Sequence, residues 1–364
     1  MLGSSHVSVI VLNYNGRKRL GKILHNCLES VLKTDYPNFE VLFVDNASTD
    51  DSINYVKEKF GQDKKLRIIQ NERNFGFAEG NNAGIRNAKG RYIALLNSDT
   101  RVDPNWLKEL VRAIQPSDVG AVQSKLLQMD SADTLDCAGG FIDYYGYHFE
   151  RGRGEKSSKY SQPGEIFYAK GAGVLLKREV LAKTGLFDPE IFMYFDETDL
   201  CWRIWLSEHK VLFAPKSFVY HASGSTASKL QQKTRSYYYT RNHILVLLKN
   251  YGLGNMFKAI AVSIIFEFRN MVLFLARRKP QVSIAIIEAL SWNLFHSKYA
   301  WKKRQVIQRL VRKVSDEQIK KIMLKPYPPF PLYLVFSRFR YLKKQNINTK
   351  HRLIEKDVMR MGTK

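Results

Sequence analysis

Carboxylates and amides recur at the ends of apolar runs in this chain. In Arg91-Tyr-Ile-Ala-Leu-Leu-Asn-Ser-Asp-Thr100, the run Tyr92–Leu96 reads as a buried strand that ends in a polar tip carrying Asp99. Asp and Asn commonly close strands as turn formers or cap the helix that follows. Asp103, before Pro104, suits that job for a helix starting near Pro104, which leaves Asp99 spare. A second acidic group is Asp196-Glu197-Thr198-Asp199. At a helix start, Asp196 and Asp199 are good capping or dipole-compensating residues, and Arg203 stands at helical spacing to pair with Asp199. Structural roles therefore absorb two of these three acids and leave one for chemistry.

These tips need strands to hold them. Strand patterns at Val7–Leu12, Glu40–Val44, Leu66–Gln70 and Tyr92–Leu96 alternate with helical patterns near Lys18–Lys33, Asp51–Phe60 and Ala78–Ala88. Short apolar strands alternating with helices predict an α/β fold with a doubly wound, mainly parallel sheet. In such sheets ligands sit beyond the carboxyl ends of the strands. Asn13-Tyr14-Asn15, Asp45-Asn46 and Asn97-Ser98-Asp99 all fall there. From 120 to 170 the pattern loosens into Gly, Ser and Tyr with short strand candidates. It resumes with Gly173–Lys177, a helix near Glu197–Ser207 and a strand at Lys210–Phe213. The expected division is a catalytic domain over 1–228 and a helical, basic, membrane-associated region over 229–364.

The charge supports that division. The net formal charge is +24, and residues 251–364 carry 24 basic and 6 acidic side chains, or +18, leaving +6 for the first 250. So lopsided a tail points to a polyanionic neighbour, nucleic acid or an anionic membrane surface. Lys258, Glu267, Arg269, the Arg277–Lys279 cluster, Glu288 and Lys298 interrupt the apolar runs, so none is expected to reach the roughly 18 to 20 residues that span a bilayer. Val306, Ile307, Leu310, Val311 and Val314 mark instead one face of a basic amphipathic helix, with Trp292 and Trp301 nearby, suited to a membrane interface. The N-terminus lacks the basic and long apolar regions of a signal peptide. Three dispersed cysteines argue against a zinc site or disulfide framework and suit a reducing compartment. The expected location is cytoplasmic, peripheral on the inner face of the membrane.

VSVIVLNYNG, VLFVDNASTD, NERNFGFAEGNNAG, LLNSDT and MYFDETDLCWR, in this order and spacing, resemble an inverting family 2 glycosyltransferase of the GT-A fold, with rhamnosyl- and galactofuranosyltransferase-like members closest in style. The resemblance covers roughly residues 7–225. It implies sugar transfer from a nucleotide-sugar donor to a saccharide or lipid-linked acceptor. It assigns donor binding to Asn13, Tyr14, Asn15, Asp45, Asn74, Gly76, Gly80, Asn81, Asn97, Ser98 and Asp99. Asn97-Ser98-Asp99 stands in the place of the metal-binding DXD motif, so the resemblance implies Mn²⁺ or Mg²⁺ on Asp99. Asn97, replacing the first Asp, would then contact the donor. His221 falls where related enzymes have a metal-coordinating histidine. Glu197 occupies the position of the general base, beside Asp196.

Two other readings stay open. A nucleotidyltransferase shares strand-end carboxylates, although the acid cluster and His221 argue against it. A non-enzymatic nucleic-acid-binding protein would explain the charge, yet no known binding motif appears, and no nucleic-acid partner is expected. A dinucleotide-binding oxidoreductase lacks its G-x-G-x-x-G turn, since the first strand leads into NYNGRKRLG.

Overall fold

A computed structural model describes residues 5–222 and 231–326. In chain order its first half comprises β1 (Val7–Asn13), α1 (Gly16–Leu20), α2 (Lys22–Leu32), β2 (Phe39–Asp45), α3 (Ser52–Phe60), β3 (Leu66–Gln70), α4 (Gly76–Asn87), β4 (Tyr92–Asn97), β5 (Thr100–Val102) and α5 (Trp106–Ala113). There follow β6 (Val119–Gln128), β7 (Ser131–Cys137), β8 (Gly140–Ile142), β9 (His148–Glu150), β10 (Gly164–Glu165), β11 (Val174–Lys177), α6 (Arg178–Thr184), α7 (Asp196–Leu206) and β12 (Lys210–His221). The helical region holds α8 (Gln232–Asn250), α9 (Leu253–Ala276), α10 (Pro280–Phe295), α11 (Ser297–Val306) and α12 (Asp316–Lys320).

One mixed sheet runs in the order β10-β12-β6-β11-β4-β1-β2-β3. β3, β2, β1 and β4 are parallel, as are β6 and β12, whereas β11 lies antiparallel between β4 and β6. β1, β2 and β4 are buried on both faces, as continuous Val/Ile/Leu runs require. Leu24, Val56 and Trp106, from α2, α3 and α5, cover one face; Ile85 of α4, Trp202 of α7 and Leu245 of α8 belong to the core on the other.

Several expectations need correction. The helix expected over Lys18–Lys33 divides at Gly21, whose φ of 55° favours a residue without a Cβ. The loosened stretch hides β6, ten residues at the centre of the sheet. The strand expected to end at Phe213 continues to His221, because the ladder with β6 shifts register between Ala214 and Phe218 and then resumes past Pro215. The apolar face from Val306 to Val314 is not a single face. α11 passes into a π-helical turn at Ile307–Val311, which buries Ile307 and Val311 while Val306 and Leu310 stay exposed. Finally, α9 is 24 residues long and apolar enough to cross a membrane by length and composition. Of its charged residues, Lys258 is exposed in the second turn, Glu267 is buried and Arg269 is half-buried.

The helical region packs onto the sheet domain. Lys249 of α8 is buried and pairs with Asp188 and, at 3.0 Å, with Asp199. Arg304 of α11 is also buried and donates to the carbonyls of Leu248 and Tyr251. All three cysteines are buried and free of disulfide bonds.

Candidate active site

Register brings the polar ends together. β5 pairs antiparallel with the end of β12, placing His221 opposite Thr100 and therefore beside Asp99. His221 Nε2 lies 3.3 Å from Asp99 Oδ1 and 3.4 Å from Asn97 Nδ2, while Nδ1 lies 2.9 Å from Asp136 Oδ2 of β7. Burial disfavours the imidazolium, but hydrogen bonds to Asp136 and Asp99, with their charges, outweigh it and raise the His221 pKa to about 9. Asp136 was not foreseen, because only the β6–β7 pairing carries it to this corner.

Among the described residues no group of three or more His, Cys, Asp or Glu forms a metal cluster. Asp99 and His221 nevertheless supply one hard oxygen and one imidazole at a single point. That set fits an ion that arrives with a diphosphate and draws its remaining ligands from phosphate oxygens and water.

The acids begin α7, just after two consecutive left-handed residues, Tyr194 (φ 63°) and Phe195 (φ 68°). Bulky side chains seldom adopt that conformation, and it persists only where the surroundings hold it. Here Asn242 of α8 donates to the carbonyls of Met193 and Tyr194, and the Phe195 ring stacks on His243. α8 thus aims the acid cluster. Glu197 Oε1 accepts the Gly171 amide at 2.9 Å. Burial, reinforced by the adjacent Glu197 carboxylate, pushes the Asp196 carboxyl well above the usual range. Asp199 stays ionised: burial opposes this, but Lys249 and then Arg203 lower its pKa. Arg203 donates to Asp199 Oδ2 through Nε (3.1 Å) and Nη2 (2.9 Å).

A cavity of about 370 Å³ is lined by Tyr14, Asn74, Gly76, Asn97, Ser98, Asp99, Asp196, Glu197 and His221. That volume lies within the range of small-molecule sites. Leu12, Arg19, Leu20, Asn46, Phe77, Phe192, Met193 and Tyr194 complete its wall, and of these only Asn46 stands among the strand ends read from the sequence. At Gly76 (φ 74°) a Cβ would lie 2.4 Å from the Phe192 carbonyl, so this approach of two loops requires glycine.

Five expected donor-binding residues do not line the cavity. Asn13 donates to Asp45 (2.8 Å), and Asp45 in turn accepts the Ser48 amide and hydroxyl (2.8 and 2.6 Å). Asn15 accepts the Thr49 amide at 2.7 Å. These three spend their polar atoms locking the β1 and β2 tips together, an Asx-type turn closure. Gly80 lets α4 approach Leu12 and Asn46, and Asn81 donates to the Phe77 carbonyl one turn back. Asn46 is the strand-tip residue that reaches the cavity instead, donating to Asn74 Oδ1 at 2.9 Å.

Comparison with known proteins matches residues 8–185 to the family model "Glycosyl transferase family 2". "Glycosyltransferase GlyG" of Streptococcus pneumoniae serotype 4 is 35% identical over 130 residues, 36% of this chain and 42% of that protein. "O-antigen biosynthesis protein RfbC" of Myxococcus xanthus is 31% identical over 233 residues, 61% of this chain and 18% of that protein. Among solved structures, S. aureus TarS 1-349 in complex with UDP-GlcNAc superposes with a TM-score of 0.54 at 19% identity, covering 78% of this chain and 79% of that one. GalNAc-T7 with UDP, GalNAc and Mn²⁺ gives 0.55 at 20% identity, covering 68% and 48%. Fold and site together define the class by its architecture: a GT-A fold with a polar cavity beyond the strand ends. More particularly, residues 8–185, just under half of the chain, are similar to glycosyl transferase family 2. The chain spans less than half the length of the curated relatives named here, and the acid cluster and His221 lie beyond the matched segment.

Proposed function

We propose that this protein transfers a hexosyl or deoxyhexosyl group from a nucleotide-sugar donor to a hydroxyl of a saccharide or lipid-linked saccharide, inverting the anomeric carbon. The observation that carries the reading is that Asp99, His221 and Glu197, from three separate elements, line one cavity. Mn²⁺ or Mg²⁺ held by Asp99 and His221 would supply charge stabilisation to the departing diphosphate. That GalNAc-T7 is seen with UDP and Mn²⁺, and TarS with UDP-GlcNAc, supports this choice of ligands.

Arg19 adds a guanidinium to the wall, suited to a phosphate, while Asn97 and Ser98 offer short polar side chains to the donor. Glu197 takes the proton of the acceptor hydroxyl as its oxygen bonds to the anomeric carbon. The bond to the diphosphate oxygen breaks, and the electron pair leaves with the diphosphate. A single displacement from the face opposite the leaving group inverts the configuration. Glu197 is the acceptor because its carboxylate lines the cavity beside Asp99 and His221 and is oriented by the Gly171 amide. The relative named for O-antigen biosynthesis supports a saccharide acceptor.

The test is a thermal-shift and transfer panel of UDP-, dTDP- and GDP-sugars, including UDP-galactofuranose and dTDP-rhamnose, with and without Mn²⁺. One nucleotide class should stabilise the protein, more so with the ion, and rhamnose or galactofuranose should be the sugar moved. No stabilisation by any nucleotide sugar would overturn the reading.

A further inference from the structure

The polarity of α9 is reversed for a helix at a water-facing surface. Its inward stripe contains the buried polar residues Ser263 and Glu267 beside Met256 and Ala259. Its outward stripe is apolar: Phe257 and Phe268 are about two-thirds exposed (66% and 64%), and Ile264, Val272 and Leu275 about half. A water-facing helix places its apolar stripe against the core and its polar residues outside. α10 buries Val282, Ala285, Ile286 and Ala289 and still leaves Ile284 and Ile287 half exposed and Leu294 and Phe295 72% and 82% exposed, with Glu288 as the exposed acid among them. Apart from Tyr14, every large exposed hydrophobic side chain among the described residues lies between Leu253 and Leu310. So concentrated an apolar surface marks an interaction site.

Charge indicates the occupant. The turn joining α9 to α10 is Arg277-Arg278-Lys279, all exposed, and Lys298 and Lys302 flank the half-exposed Trp301. Apolar stripes bordered by cations and an interfacial aromatic match an anionic bilayer surface. Packing decides between lying on the bilayer and crossing it. Phe266 packs on Tyr147 of the catalytic domain at 5.2 Å, and Ser283 of α10 donates to the Met271 carbonyl of α9. One side of α9 is thus committed to protein along its length, and lipid can reach only the other.

We propose that the outward faces of α9 and α10 form a seat on an anionic lipid surface, with α9 lying in the interface plane. Helix α8 links the seat to the cavity: its Tyr238 stacks on the cavity residue Phe192 at 5.5 Å, and α8 packs against both α9 and α10. Docking therefore brings the acceptor side of the cavity to the membrane. This last step rests on the proposed lipid-linked acceptor; the seat itself does not.

Vesicle sedimentation of the full chain tests the seat without any transfer reaction. Mixed phosphatidylcholine–phosphatidylglycerol vesicles should bind the protein, less strongly as salt rises. Phe257→Gln/Phe268→Gln/Leu275→Gln, at exposed positions, should lower partitioning by roughly a hundredfold. Arg277→Gln/Arg278→Gln/Lys279→Gln should lower it about fivefold per charge on anionic vesicles and hardly at all on neutral ones. Donor binding by calorimetry should stay unchanged in both variants. Wild-type protein left in the supernatant would overturn the proposal, as would apolar variants that bind like wild type. So would sedimentation velocity showing a dimer that the apolar variant dissociates, since a second copy would then cover the face.

Discussion

His221 and Asp99 meet at 3.3 Å because the β5–β12 ladder sets His221 opposite Thr100, one residue after Asp99. A short three-residue strand therefore decides whether the two proposed metal ligands converge. Asp99→Ala should leave the fold intact, remove most transfer and abolish the Mn²⁺-dependent part of nucleoside-diphosphate binding. His221→Ala should do the same less severely. Calorimetry with and without Mn²⁺ checks both, and undiminished transfer by the Asp99 variant in EDTA would contradict the assignment.

Proton acceptance should belong to Glu197. General-base contributions are typically ~10²–10⁴-fold, so Glu197→Gln should lower kcat by about that much while donor affinity persists. Asp196→Asn should cost far less, because the amide mimics the protonated carboxyl that burial already favours. Steady-state kinetics of the two variants decides it: the opposite order moves the base to Asp196.

Asp136 should act through His221, fixing the ring by its bond to Nδ1 and turning Nε2 toward Asp99. Partners of this kind typically tune metal affinity by about 10–100-fold. Asp136→Asn should weaken Mn²⁺ binding in the presence of nucleoside diphosphate by about that factor without changing the nucleotide affinity measured in EDTA. Equal Mn²⁺ affinity in variant and wild type would contradict the role.

The same cluster fixes a pH dependence. The His221 pKa rises from 6.5 to about 9 in the metal-free fold. A raised folded pKa contributes stability that is fully present below 6.5 and is lost as pH climbs through about 9. Metal and proton compete for Nε2, so Mn²⁺ affinity should increase across that window, with proton release on binding. Calorimetry in buffers of different ionisation enthalpy counts the proton, and His221→Gln should flatten the profile. A flat wild-type profile would contradict it.

Four parallel strands and their tips were legible in the sequence because β1, β2 and β4 are uninterrupted apolar runs, and an apolar run ending in a polar tip is a local signal. Asp99, Asn97, Ser98, Tyr14, Asn74, Gly76, Asp196, Glu197 and His221 do reach the cavity. A carboxylate after a strand also describes a residue that closes a turn, as Asp45 does onto Ser48, outside the cavity lining. Arg19 of the cavity wall and Asp136 behind His221 carry no local signal, since only the folding of α1 over the site and the β6–β7 pairing bring them to these places. Pro215 hid the second half of β12, which resumes beyond a register shift. The reversed polarity of α9 depends on which of its faces meets α8 and α10, and composition does not reveal that.

Lys249 should be a stability residue. Its ammonium is buried between Asp188 and Asp199. Removing one partner of a buried ion pair costs about 3–5 kcal/mol through the charge left behind. Lys249→Met should lower unfolding free energy by about that amount, and Asp199→Asn should lower it too, because buried Arg203 loses its carboxylate even though Asp188 still pairs with Lys249. Urea unfolding followed by circular dichroism measures both. A Lys249 variant as stable as wild type would contradict the account.

The central claim is that Asp99 and His221 jointly hold the ion that neutralises a donor diphosphate. The most direct measurement is anomalous diffraction at the manganese edge, from crystals grown with Mn²⁺ and the nucleoside diphosphate selected by the thermal-shift panel. The account predicts one strong peak in the cavity, within bonding distance of Asp99 Oδ1, His221 Nε2 and diphosphate oxygens. A nucleotide-bound crystal with no manganese peak there, or with the ion held by other residues, would contradict it.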